Sequence, residues 1–183
     1  MTELQELKEL KVVEGILKAL IKRAKNMTIE QKLAWLRGFV YGDVSILVNN
    51  TLGLETSRLD TLLAFLAIAT SFANYRKYGA NRAVRVYPYI RIEDDTKSLQ
   101  KYKWHAFVYV APEVYHKVTQ RDISILDGYA NRLNLLSAFT AGLIDSDGTI
   151  VISVKKRRGR LYFEPELEIV NTDKDMLAKL QHA

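Results

Sequence analysis

Two aspartates, Asp43 and Asp147, stand 104 residues apart in the same local pattern. Around the first the chain reads 34-AWLRGFVYGDVSI-46, and around the second 138-AFTAGLIDSDGTI-150. The stretches align without a gap: Ala34 on Ala138, Gly38 on Gly142, Asp43 on Asp147, Ile46 on Ile150. Trp35/Phe139, Phe39/Leu143, Val40/Ile144 and Ser45/Thr149 are similar pairs. Two carboxylates brought side by side repel and desolvate each other unless a proton or a cation offsets them. A hard divalent cation, Mg²⁺ most simply, suits such an oxygen donor set. A metal held this way can activate water and stabilise both oxygens of a phosphodiester displacement. The plainer alternative is that each Asp only caps or turns a helix end, since Asp-Gly is a common turn pair.

The segments before the two acids decide whether they meet. Ala34, Gly38 and Gly42 recur at i, i+4, i+8, as do Ala138, Gly142 and Ser146. On a helix each set is one stripe of small residues, and such stripes let two backbones approach closely. Packed stripe to stripe, the two helices bring their C-terminal ends, and so Asp43 and Asp147, together. Asp145 aligns with Tyr41. It is therefore no half of a symmetric site, and a structural role fits it better.

The remaining elements follow from periodicity. Residues 3–25 read as an amphipathic helix with Leu10, Val13, Leu17, Leu20 and Ala24 at 3-4 spacing. Thr28 with Gln31 forms a capping-box pattern before the first motif helix. The chain continues with a short strand at 44–49 and a helix from Ser57 to Lys77, ended by Gly79. Alternation marks strands at 84–92 and 103–111, with Pro88 pointing to an edge or a bulge. Helices follow near 112–118 and from about Asp127. A hairpin spans 149–155 and 161–170, and a last helix starts between Asn171 and Asp173.

Composition bounds the rest. The chain has 183 residues, no cysteine and three scattered histidines, which excludes disulfides, thiolate metal sites and zinc spacing. Its net charge of +6 favours a polyanionic partner. The most apolar run, 59–73, is too short to span a bilayer. With no signal-peptide pattern at the N-terminus, these features point to an intracellular protein, cytoplasmic or organellar, without a membrane partner.

The second motif, 140-TAGLIDSDG-148, resembles the LAGLIDADG homing endonuclease family, matching the nine-residue pattern at seven positions. The first, 36-LRGFVYGDV-44, is degenerate and keeps Leu36, Gly38 and Asp43. The stretch 167-LEIVNTDKDMLAKL-180 is similar to the family's strand-to-helix transition. The resemblance covers roughly residues 30–183. It implies an α+β fold of tandem αββαββα units packed through the motif helices. The first unit would span 28–130 and a partial second 131–183, after an N-terminal helix at 1–27. It also implies sheets that straddle double-stranded DNA and Mg²⁺-dependent cleavage of both strands.

Residue by residue, Asp43 and Asp147 match the metal-binding acids, and Gly42 and Ser146 match residues offering backbone carbonyls to the metal. Asn171 matches a polar side chain near the catalytic water. Lys155, Lys156, Arg157, Arg158 and Arg160, with Ser153, are the expected DNA contacts of the second unit. Arg85, Tyr87, Tyr89 and Arg91 are those of the first.

Four departures matter. Only 36 residues follow Asp147, leaving no room for a second hairpin. The first unit reads as lacking most of a first hairpin. Tyr162, Glu164, Glu166 and Glu168 share the face expected to meet DNA. In place of the family's Lys before the unit's last helix, only Arg121 or Lys117 is at hand. The alternative reading is therefore a non-cleaving descendant, either a DNA-binding regulator or an RNA-binding intron maturase. Motif count implies a monomer, with self-association if the second unit is incomplete.

Overall fold

A computed structural model describes residues 3–91, 101–171 and 173–182. Side chains before residue 14 and those of 89–91, 101, 102 and 150 lie outside the description. The architecture is α+β with two antiparallel sheets. Helix α1 (Glu3–Asn26) leads to α2 (Ile29–Tyr41), β1 (Val44–Leu47), β2 (Thr51–Thr56) and α3 (Leu59–Ala69). Short helices α4 (Tyr75–Tyr78) and α5 (Ala80–Ala83) precede β3 (Val84–Arg91) and β4 (Lys101–Tyr109). Then come α6 (Pro112–Thr119), α7 (Ile125–Ala130), α8 (Leu133–Asp147), β5 (Gly148–Arg157), β6 (Arg160–Ile169) and α9 (Lys174–His182).

The first motif helix starts where the sequence asks it to. Thr28 accepts from the Gln31 backbone N–H at 3.2 Å, and the Gln31 side chain accepts from the Thr28 N–H at 2.8 Å. Two of the orphan donors of the first turn are thus satisfied. Trp35, Leu36 and Phe39 are fully buried, and Phe39 stacks on Phe65 of α3.

The first sheet has the order β1-β2-β4-β3, all antiparallel. On one of its faces Leu52, Leu54, Ala106 and Val108 are fully buried. Pro88 sits on β3, an edge strand, as its missing N–H requires. The expectation of a missing first hairpin is overturned: β1 and β2 form a complete short hairpin, with Val44 opposite Leu54 and Leu47 opposite Thr51. Its turn carries Asn49 and Asn50 at φ 59° and 56°, a left-handed conformation Asn tolerates. The single helix expected over 57–77 is also corrected. It breaks after a 3₁₀ turn at Thr70–Phe72, and Asn74 caps a separate α4. The helix expected from about Asp127 is two, α7 and α8, separated at Asn131–Arg132.

The second sheet is the two-stranded β5–β6 hairpin. Arg158 and Gly159 turn it at φ 50° and 79°, as a two-residue hairpin loop requires. One face carries Thr149, Val151, Ser153 and Lys155 opposite Glu168, Glu166, Glu164 and Tyr162. On the reverse face Ile152, Val154, Leu161 and Phe163 stand 57–67% exposed. Among the described residues no helix is long and apolar enough to cross a membrane.

Candidate functional site

The site begins with the crossing of α2 and α8. A β-carbon on Gly38 would fall 2.0 Å from the Phe139 carbonyl oxygen, and one on Gly142 would fall 1.9 Å from that of Trp35. Trp35 and Phe139 are equivalent in the repeat, so the two contacts are images of each other. Only glycine fits there, and the helices meet backbone to backbone. One turn later a β-carbon on Gly42 would meet Ser146 Oγ at 2.1 Å and Asp147 Oδ2 at 2.9 Å. The small-residue stripes therefore pack as the sequence predicts, and both helices end at the same place.

Two carboxylates share that place. The carboxyls of Asp43 and Asp147 lie within hydrogen-bonding reach of each other, Asp43 exposed and Asp147 half-buried. Both sit at helix C-termini, where the macrodipole disfavours anions. Burial first, then the charge and hydrogen bond of Asp43, push the Asp147 carboxyl up to about 6. No basic side chain figures among those causes. The carbonyls of Gly42 and Ser146 lie past Phe39 and Ile144, whose oxygens take the last capping N–H groups. Ser146 Oγ donates back to Leu143 O at 2.9 Å, so its hydroxyl is occupied. The donor set is hard oxygen throughout, which fits Mg²⁺. Among the described residues no group of three or more His, Cys, Asp or Glu gathers around a common point.

Asn171 reaches the same spot from the junction of β6 and α9. Its Nδ2 donates to Tyr41 O at 3.0 Å, and its Oδ1 accepts from Asp173 N at 2.9 Å. Asp173 in turn caps α9 by accepting from Met176 N at 3.0 Å. An open cleft beside Asp147 is lined by Tyr41, Gly42, Arg121, Asn171 and Asp173. Arg121 thus comes to the cleft, whereas Lys117 does not line it. Asp173 was not singled out in the sequence, although its N-cap position before Met176 was legible there.

Asp145 is separated from this site. Its Oδ2 accepts from Trp35 Nε1 at 2.8 Å and pairs with Arg23 of α1. The Arg23 guanidinium also lies 5.7 Å from the Trp35 ring centre. Asp145, the first aspartate of the motif, thus holds the N-terminal helix and the first motif helix to α8.

The expected basic tip of β5–β6 divides. Lys155 donates to Glu164 at 2.5 Å and to Glu166 at 3.4 Å, and Arg157 lies 3.6 Å from Glu164. Arg157 faces Arg160 across the ladder, Arg158 occupies the turn, and Lys156 points with Leu161 to the reverse face. Ser153 shares the face of Lys155, opposite Glu164. The cluster is one in sequence, but strand alternation splits it. In the first sheet, Arg85 and Tyr87 share the open face with His105, Phe107 and Tyr109 of β4. Tyr89 and Arg91 continue the strand, and their side chains lie outside the described residues.

No protein-family profile matches the chain, and no curated protein matches it. Among the solved structures similar to it are two of DUF199/WhiA. The N-terminal LAGLIDADG domain of DUF199/WhiA is 14% identical with a TM-score of 0.43, over 92% of this chain and 88% of that one. Full-length DUF199/WhiA from Thermatoga maritima is 16% identical with a TM-score of 0.39, over 92% of this chain and 60% of that one. The functional reading rests on this chain's own residues.

Proposed function

We propose that the chain is a DNA-binding protein of the LAGLIDADG homing endonuclease type, hydrolysing phosphodiesters with a divalent cation at Asp43 and Asp147. The observation that carries this is the paired carboxylates, held at two converging helix ends by glycines that allow no other packing. Such a concentration of negative charge costs stability, and a cation offsets it. Asp43 and Asp147 would hold Mg²⁺, with carbonyls of Gly42 and Ser146 completing the donor set. When bound, the cation neutralises charge developing on a phosphodiester. Asn171 fixes the β6–α9 junction against Tyr41, and Arg121 is the cation at hand for a phosphate oxygen in the cleft.

A second reading has its own support. Lys155 and Arg157 are engaged by Glu164 and Glu166, which lowers the positive potential offered to a phosphate backbone. A non-cleaving DNA-binding regulator, or a binder of intron RNA, fits that face. Supercoiled plasmid incubated with Mg²⁺ separates the readings. Cleavage by the native chain and none by Asp147→Asn supports hydrolysis. Cleavage that persists unchanged in Asp147→Asn overturns the site. Binding without cleavage supports the second reading.

A further inference from the structure

We infer that the two halves of the acid site are unequal and that, on the hydrolytic reading above, the chain nicks one strand of a duplex, the strand held in the Asp147 half. Strand register carries the internal repeat past the acids: Val44 faces Leu54, and Gly148 faces Ile169. Two residues further on, Thr56 and Asn171 are therefore equivalent. Each accepts the backbone N–H of the second residue after it, Thr56 Oγ1 from Arg58 at 3.0 Å and Asn171 Oδ1 from Asp173 at 2.9 Å. Arg58 in one half thus stands in the place of Asp173 in the other.

The contents of the halves differ. Asn171 and Arg121 line the open cleft beside Asp147. Asn171 Nδ2 gives one N–H to Tyr41 O and has a second to offer. Its counterpart Thr56 is only 8% exposed. Arg58, the cation of the first half, is held by Asp60 through Nη2 at 2.9 Å and Nε at 3.4 Å. Ile16 and Leu20 of α1 wall the cleft in which Arg58 lies. Charge falls the same way. The hydrogen bond to Asp60 holds Arg58 above the ordinary guanidinium range, and Asp43 and Asp145 add to it, so a positive charge already acts on Asp43. Asp173 instead adds a carboxylate to the cleft of Asp147. A divalent cation is therefore drawn to the Asp147 side. Hydrolysis needs water in line with the breaking bond and donors on the phosphate oxygens. The Asp147 half supplies those donors from Arg121 and the free Asn171 N–H. There the oxygen of water joins phosphorus, one P–O bond to the sugar breaks, and the leaving oxygen takes up the proton released by the water. The product is a nicked duplex.

Two measurements on the full chain test this. Supercoiled plasmid with Mg²⁺ should accumulate as nicked circle, with no linear form replacing it as protein is added. Arg121→Gln should slow nicking by about 100-fold, and Arg58→Gln should leave it unchanged; both side chains are exposed, so both variants fold. The second measurement needs no DNA. Iron(II) in place of Mg²⁺, with ascorbate and peroxide, cuts a polypeptide beside the bound ion, and fragments should end at 171–173 in excess over 56–58. Linear DNA formed as fast as nicked circle overturns the nicking alone, and so does equal fragmentation at the two junctions. An unchanged rate in Arg121→Gln overturns it as well. Absence of any DNA cleavage overturns the nicking together with the hydrolytic reading.

Discussion

Gly38 and Gly142 occupy equivalent points of one helix crossing, each lying within β-carbon distance of the other helix's backbone carbonyl. Everything at the acid pair depends on that approach. Overlaps of 1.9–2.0 Å with backbone atoms cannot be relieved by a rotamer change. Gly142→Ala is therefore expected to destabilise the fold by about 3 kcal/mol or more, at the upper end of overpacking losses. Gly15→Ala, in a helix with nothing within 4 Å of the new atom, should stabilise it by about 0.5–1 kcal/mol. Thermal unfolding of the two variants checks the contrast.

The raised Asp147 carboxyl makes stability depend on pH. Its folded-state value of about 6 exceeds the ordinary 3.8, so the folded chain binds the extra proton and stability is lost as pH rises from about 4 through 6. Asp147→Asn removes that penalty. The variant should melt higher than the native chain at pH 8 and equal to it near pH 3.5. A melting series across pH, with no divalent cation present, is the measurement.

Asp145 and Asp43 should fail differently. Asp145→Ala leaves the indole N–H of fully buried Trp35 without its acceptor and frees Arg23. A loss of about 2–3 kcal/mol is expected, with a change in tryptophan fluorescence. Asp43→Ala relieves repulsion and should cost nothing in the absence of metal. Denaturant titration of both variants decides it.

Millimolar Mg²⁺ should raise the melting temperature of the native chain, because a ligand that binds only the folded state stabilises it by mass action. The shift should vanish in Asp147→Asn. A shift of equal size in the variant would place the cation elsewhere.

Phe163 stands on the exposed reverse face of β5–β6 at 67% exposure. Phe163→Lys should therefore change stability by no more than about 0.5 kcal/mol, whereas Phe139→Ala, fully buried between the motif helices, should cost about 3–5 kcal/mol. Urea midpoints compare the two.

The repeat by itself determined the pairing of Asp43 with Asp147, because small residues at i, i+4 and i+8 have one close-packed solution. It also separated Asp145 from them, since Tyr41 stands in the equivalent place. The capping box at Thr28 and the alternation in β3, β5 and β6 were equally legible, being local. The β1–β2 hairpin was missed although Asn49-Asn50 between two apolar runs is a turn signal; the run after it is interrupted by Gly53 and is short. Only the tertiary structure decided what Asp145 holds, since Arg23 and Trp35 lie 122 and 110 residues away. It also decided the partners within the basic run at 155–160, because Glu164 and Glu166 meet Lys155 only through the register. The aromatic face of the first sheet likewise comes from β3 and β4. Its members are brought together by strand pairing, which no local pattern encodes.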